Sequence, residues 1–188
     1  MSRRDQLVEH MSRSIRESGV GASTVEAVLK SSDVTAGSMY HYFPGGKEAL
    51  AAASVETAGA AGAALLAVAL ESSPDVSHAT EVFYTALAEE MEETDFRYGC
   101  PVGVPSTEAP GIESVRAAGA SAFQAWIDVI SAALVEQGVD ADRAESTARF
   151  VVAAYEGAST MARTLRDTAV IYDTMASVKE YLASAEFG

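Results

Sequence analysis

Between Ser23 and Leu50 the chain reads STVEAVLKSSDVTAGSMYHYFPGGKEAL, and here residue types and spacing suit contact with a nucleic acid. Thr35, Ala36, Gly37, Ser38, Tyr40 and His41 are small or polar, and only Met39 among them offers an aliphatic side chain to a core. Tyr40 and His41 can donate hydrogen bonds to phosphate oxygens, while Thr35, Ala36 and Ser38, near a helix N-terminus, reach base edges in a major groove. Gly37 inside a helix costs about 1 kcal/mol relative to alanine, a cost that close approach of a DNA backbone would justify. Lys47, just past Pro44-Gly45-Gly46, is expected at the start of the next helix, where the dipole and a cation together favour a phosphate. Thr24, at the start of the preceding helix, completes the DNA-contacting set.

Two short helices on a tight turn must position these groups. Ser23 with Glu26 three residues later predicts a capping box opening a helix over 24–31 that buries Val25, Val28 and Leu29. Ser31-Ser32-Asp33 then supplies turn-tolerant residues, Val34 plugs the core, and Thr35 caps a second helix running to His41 or Tyr42. Helices joined this closely cross steeply, which is the geometry of a helix-turn-helix.

The run Val34-Thr35-Ala36-Gly37-Ser38-Met39-Tyr40-His41-Tyr42-Phe43-Pro44, followed by Lys47-Glu48-Ala49-Leu50, resembles the N-terminal DNA-binding domain of the tetracycline-repressor (TetR/AcrR) family. The resemblance implies an all-α protein: a three-helix helix-turn-helix domain over 1–46, then a helical ligand-binding and dimerisation domain over 47–188. Asp33 stands where the family usually has Gly, and a residue tolerant of the left-handed region can take that place. Ala36 stands where the family often has Lys or Arg, so base readout leans on Thr35, Ser38, contacts with thymine methyls and DNA shape.

Charge is placed unevenly. Residues 1–50 carry six basic and six acidic groups, so all of the net charge of −14 lies in residues 51–188. An acidic body aids solubility and repels DNA from the wrong surface, leaving a neutral head to bind through local geometry and with salt sensitivity. A single Cys excludes an internal disulfide framework and suits a reducing, cytoplasmic compartment. The polar N-terminus lacks the apolar core of a secretory signal, and the most apolar run, residues 58–70, is too short to span a bilayer.

Beyond the head, punctuation predicts further helices: from Gly46 or Lys47 to Glu71, from Asp75 to Glu93, from Ile112 to Gln137 with Gly138 as a stop, from an Asp140 cap to Leu165, and from a Thr168 cap to about Ala185. In the second of these, Val76, Ala79, Val82, Phe83, Ala86, Leu87 and Met91 are expected on the packed side. Glycines and prolines between Thr94 and Gly111 forbid one continuous helix there.

The last two helices carry more apolar surface than one buried stripe requires. Phe150, Ala154, Gly157, Ala158 and Met161 in the first, with Ile171, Met175, Val178 and Leu182 in the second, suit either ordinary core packing or a two-fold four-helix interface. The family resemblance implies the interface, since its members dimerise through these helices. Arg97-Tyr98-Gly99-Cys100-Pro101-Val102 resembles the C-terminal domain of the LmrA/YxaF branch of that family. This second resemblance implies a mostly apolar pocket for a flat or drug-like inducer, with Phe83, Leu87, Met91, Tyr98, Cys100, Phe123, Trp126, Ile127 and Tyr155 as candidate lining; a plain core is the alternative.

Catalysis finds little support. His10, His41 and His78 stand far apart without metal spacing, Gly45-Gly46-Lys47-Glu48 lacks the Ser or Thr of a phosphate loop, and no nucleophile motif is present. No metal, cofactor or catalytic residue is therefore expected. The sequence predicts a dimeric, non-enzymatic transcription factor whose partners are an operator duplex, a small-molecule inducer and its own copy, with no membrane. The alternative is a ligand-sequestering helical dimer without specific DNA binding.

Overall fold

The computed structural model describes residues 1–185, and among them it holds nine α-helices and no strand. Short polar side chains open several of them. Ser2 and Asp5 form a capping box ahead of α1 (Arg3–Ala22), each side chain accepting the other's backbone N–H at 3.1 Å. Two hydrogen bonds from Ser2, one of them from its backbone, lower the Asp5 pKa. Asp75 caps α5 (Val76–Glu93) through the His78 N–H at 2.8 Å, and Asp140 caps α8 (Ala141–Leu165) through the N–H groups of Asp142 and Arg143.

Contacts partition the chain differently from a cut at residue 46. One compact unit comprises residues 1–60 and 99–122. In it α1 packs against α2 (Val25–Ser32), α3 (Ala36–Tyr42) and the short α6 (Gly103–Glu108). Its core collects Leu7, Met11, Ile15, Val28, Met39 and Phe43 with Leu50 and Val55 from α4 (Gly46–Glu71). α1 bends at Gly19, whose φ of 80° and ψ of 168° are open to little but glycine, and the Glu108 carboxylate lies where a β-carbon there would stand. Arg16 and Gly99 clasp each other, the guanidinium Nε donating to the Gly99 carbonyl at 2.8 Å and the Gly99 N–H to the Arg16 carbonyl at 3.0 Å.

The second unit comprises residues 61–98 and the chain from Phe123 onward. α9 (Ala169–Ala185) packs against both α5 and α8, burying Ile171, Val178 and Leu182. Lys179 of α9 pairs with Glu81 of α5, Thr168 donates to Glu92 at 2.7 Å, and Arg166 pairs with Asp95. α7 (Glu113–Glu136) stops at Gly138, whose φ of 93° lets the Val139 N–H fold back to the Leu134 carbonyl at 3.1 Å.

Three local expectations are corrected. Thr168 spends its hydroxyl on Glu92, and Asp167 accepts the Ala169 N–H at the entrance of α9. On α5 the buried aromatic is Tyr84, while Val82 is exposed and Phe83 half-buried, because the core stripe runs through Thr80, Tyr84, Leu87, Ala88 and Met91. As for length, α4 and α7 are each long and apolar enough to cross a membrane by length and composition alone, because alanine extends the apolar character of α4 well past residues 58–70.

Candidate nucleic-acid interface

α2 and α3 are joined by Asp33, whose φ of 53° and ψ of 34° place it in the left-handed region at the C-cap of α2. An aspartate tolerates that conformation at modest cost, so the turn stays tight without glycine. Val34 is buried beneath it, and Met39 is the fully buried anchor of α3. With these two holding α3 to the core, its other face is free.

Thr35 caps α3: its Oγ1 accepts the Ser38 N–H at 3.3 Å and donates to Ser38 Oγ at 3.1 Å. Thr35, Ala36, Gly37, Tyr40 and His41 are all exposed, Tyr40 by 56%, and Ser38 is half-buried. A β-carbon built on Gly37 meets nothing within 4 Å, so the protein itself does not require glycine there. The Tyr40 ring rests against Gly46, whose φ of 65° opens α4, and His41 meets Tyr42 edge-on at 5.4 Å.

Thr24, not Ser23, caps α2, accepting the Ala27 N–H at 3.2 Å. The Ser23 hydroxyl is buried against α1, donating to the Gly19 carbonyl and accepting from Ser14, each at 2.8 Å, so the expected Ser23–Glu26 box is absent. The bend at Gly19 creates that acceptor, and only the folded chain reveals it. Lys47 lies near the start of α4 as expected and donates to the Gly21 carbonyl at 3.1 Å. One bond leaves two ammonium protons for another acceptor.

Arg4 and Tyr42 were missed by sequence reasoning. Arg4 stacks over the Phe43 ring at 5.4 Å, which sets a cation beside the end of α3, and Tyr42 is exposed. The Arg3-Arg4 pair was visible as charge, but nothing local tied it to residues forty positions on.

In the second unit Phe83 and Tyr155 meet edge-on at 6.5 Å, Tyr84 joins Tyr155 at 5.4 Å, and Phe123 meets Trp126 at 5.5 Å. Trp126 lies against Gly62, close enough that a β-carbon would fall 2.8 Å from its ring. Leu87 and Met91 are buried, while Tyr98 and Ile127 are half-buried. Cys100 belongs instead to the first unit, where its Sγ accepts the Val102 and Gly103 N–H groups at 3.4 and 3.3 Å.

Of the residues considered for an interface between copies, Ala158, Ile171, Val178 and Leu182 lie in this chain's own core. Phe150, Gly157 and Met161 are exposed, and Ala154 and Met175 are half-buried. Phe150 (43% exposed), Met161 (51%) and Leu165 (62%) share α8 with Gly157, whose β-carbon position is open. Tyr181 of α9 meets Phe150 at 4.7 Å with the two rings tilted by 58°. Among the described residues no group of His, Cys, Asp and Glu is arranged to hold a metal ion.

Comparison with known proteins agrees with this geometry. Residues 12–54 match the family described as bacterial regulatory proteins, tetR family, and residues 76–177 match the C-terminal domain of LmrA/YxaF-like transcriptional regulators. An HTH-type transcriptional regulator of Mycobacterium tuberculosis is 34% identical over 171 residues, spanning 87% of this chain and 86% of the relative. The HTH-type regulator LmrA of Bacillus subtilis is 24% identical over 180 residues, 95% of this chain and 96% of the relative. The crystal structure of a TetR regulator from Legionella pneumophila shares the fold, with a TM-score of 0.85 at 17% identity over 96% of this chain and 97% of that one. Fold and site together define a helix-turn-helix transcriptional regulator, a DNA-binding protein rather than an enzyme. Within that class, the chain belongs to the tetR family and carries the LmrA/YxaF-like C-terminal domain.

Proposed function

We propose that this regulator is a cytoplasmic, homodimeric repressor that holds a palindromic operator and releases it when a small hydrophobic or aromatic inducer binds. The helix-turn-helix domain over residues 1–46, with Lys47 at the start of α4, makes the DNA contacts, and the rest of residues 47–188 the ligand and dimer contacts. The observation that carries the reading is the outer face of α3, where Thr35, Ala36, Gly37, Tyr40 and His41 are exposed around a glycine that the fold does not need. Thr24 and Lys47 flank that face in sequence and supply a hydroxyl and a cation for phosphates.

Dimerisation rests on Phe150, Ala154, Gly157 and Met161 of α8, with Met175 and Tyr181 of α9. The open position at Gly157 lets two copies of α8 approach closely, with bulky side chains on either side. A two-fold axis presents two recognition helices to successive major grooves, about 34–36 Å apart. Ala158, Ile171, Val178 and Leu182 support that face from beneath.

The inducer is held among Phe83, Leu87, Met91, Tyr98, Phe123, Trp126, Ile127 and Tyr155. Induction requires that the ligand bind the DNA-incompetent state more tightly, with typical couplings of about 1–3 kcal/mol. Two routes lead to the head: α4, which is continuous from Gly46 to Glu71, and the 99–122 segment, which clasps α1 through Arg16 and Gly99. Cys100 sits on the second route next to that clasp.

The test is titration of the protein onto duplex DNA from upstream of its own gene, at two salt concentrations, against an unrelated competitor. Tight, salt-sensitive, competitor-resistant binding that Tyr40→Phe and Lys47→Ala weaken is expected. Binding indifferent to sequence, with ligand affinity intact, would favour a sequestering dimer, the reading to which Ala36 and the neutral head lend weight.

A further inference from the structure

Residues 1–50 hold six basic side chains, and the fold engages three of them within the protein. Arg13 pairs with Glu9, Arg16 donates to the Gly99 carbonyl, and Lys47 donates to the Gly21 carbonyl. Among the described residues, the side chains of Arg3, Arg4 and Lys30 make no hydrogen bond or ion pair, and all three are exposed. Of these three only Arg4 is held in place, its guanidinium lying over the Phe43 ring at 5.4 Å from the centroid. Both sides of that contact are ordered. Phe43 is 4% exposed and closes α3 as its C-cap, its N–H donating to the Met39 carbonyl at 2.8 Å. Arg4 is the second residue of α1, in a first turn tied down by the Ser2–Asp5 capping box. The Asp5 carboxylate accepts the Ser2 N–H, so no carboxylate hydrogen bond consumes the guanidinium. Stacking on a ring leaves the planar N–H fork of an arginine available at its edge.

We propose that Arg4 is a phosphate-binding residue of the operator complex, a cation fixed by Phe43 at the carboxyl end of α3 with its N–H fork presented to the DNA backbone. This rests on the operator reading above and adds a contact from α1. A duplex phosphate is the matching partner, because guanidinium forks meet phosphate oxygens bidentately and exposed donors surround the same helix end, His41 and Tyr42 just before Phe43. α3 itself carries neither Lys nor Arg, so Arg4 brings to it a positive charge that its own sequence lacks. A backbone contact of this kind contributes affinity and orientation without choosing a sequence.

The test is fluorescence anisotropy of the full-length protein on labelled upstream DNA and on a scrambled duplex of the same length, across a KCl series. Wild type is compared with Arg4→Gln, Arg4→Lys and Lys47→Ala. Each phosphate contact contributes about 0.9 to the slope of log affinity against log salt, so Arg4→Gln in two heads should flatten it by about 1.8. At about 0.15 M salt that is a loss of about 30-fold, similar on both duplexes and vanishing toward about 1 M. Arg4→Lys keeps the charge and should keep the slope, while losing affinity a few-fold with the fork. An unchanged slope in Arg4→Gln would overturn the proposal, even with a lowered Tm, and would reduce Arg4 to a cover for the Phe43 ring. A loss confined to the upstream duplex would overturn it as well, since that is the mark of base readout. If Lys47→Ala flattens the slope and Arg4→Gln does not, the operator reading stands and this proposal falls; if wild type itself shows no salt-dependent retention, both fall.

Discussion

Gly37→Ala separates what the fold wants from what DNA wants. Gly37 is the second residue of α3, it is exposed, and its β-carbon position is empty to 4 Å. Within the protein, a methyl there removes glycine's backbone entropy cost without a clash and should stabilise the fold by about 0.5–1 kcal/mol. For a chain of this size that is a Tm increase of about 1–4 °C. Against DNA the same methyl intrudes where the backbone of α3 meets the duplex, and overpacking a tight contact costs about 1–3 kcal/mol. A dimer carries the change in both heads, so even about 1.4 kcal/mol per head compounds to a loss of about 100-fold in affinity. Thermal unfolding and fluorescence anisotropy with upstream DNA read the two effects separately. A raised Tm with unchanged DNA affinity would refute the claim that a duplex approaches Gly37. A lowered Tm would refute the claim that the space around it is open.

Other consequences are equally direct. Gly19→Ala forces a side chain into a conformation open to little but glycine and displaces the Glu108 carboxylate, so it should cost about 1–3 kcal/mol, seen as a lower urea midpoint. Thr35→Ala removes the α3 cap and should cost about 1 kcal/mol in stability while weakening DNA binding by gel shift. Phe150→Glu with Met161→Glu should yield monomers by analytical ultracentrifugation with native helicity by circular dichroism; an intact dimer would place the interface elsewhere. Glu81 titrates below its ordinary value of 4.5, held down first by its hydrogen bond from Lys179 and then by that residue's charge. Its contribution to stability is therefore full above pH 4.5 and lost as pH falls through the lowered folded-state value. The Tm difference between wild type and Lys179→Met should shrink on acidification through that range and stay constant between pH 6 and 8.

The helix-turn-helix was legible because its signals are local. Thr35, Met39 and the Ser31-Ser32-Asp33 turn lie within nine residues of one another, and cap, anchor and turn each follow from side-chain chemistry at short range. The α2 cap was misassigned because Ser23 and Thr24 are chemically alike. The choice between them fell to a carbonyl exposed by the bend at Gly19, outside the reach of any capping pattern. On α5 a broad apolar arc concealed which aromatic turns inward; in the fold Tyr84 is buried against Tyr155 of α8, while Phe83 is half-buried and Val82 exposed.

The sequence by itself determined an all-helical chain, its helix ends at Asp75, Asp140 and Gly138, the recognition helix with its single anchor, and the confinement of negative charge to the body. These depend on periodicity and on hydrogen bonds spanning a few residues, which the local chain encodes. Only the tertiary structure decided that residues 99–122 join the head's compact unit, that Arg16 holds Gly99, and that Ile171, Val178 and Leu182 are core while Phe150 and Met161 face outward. Burial and partnership between residues 80 or more positions apart depend on which helix faces come together, and apolar side chains favour burial without specifying against what.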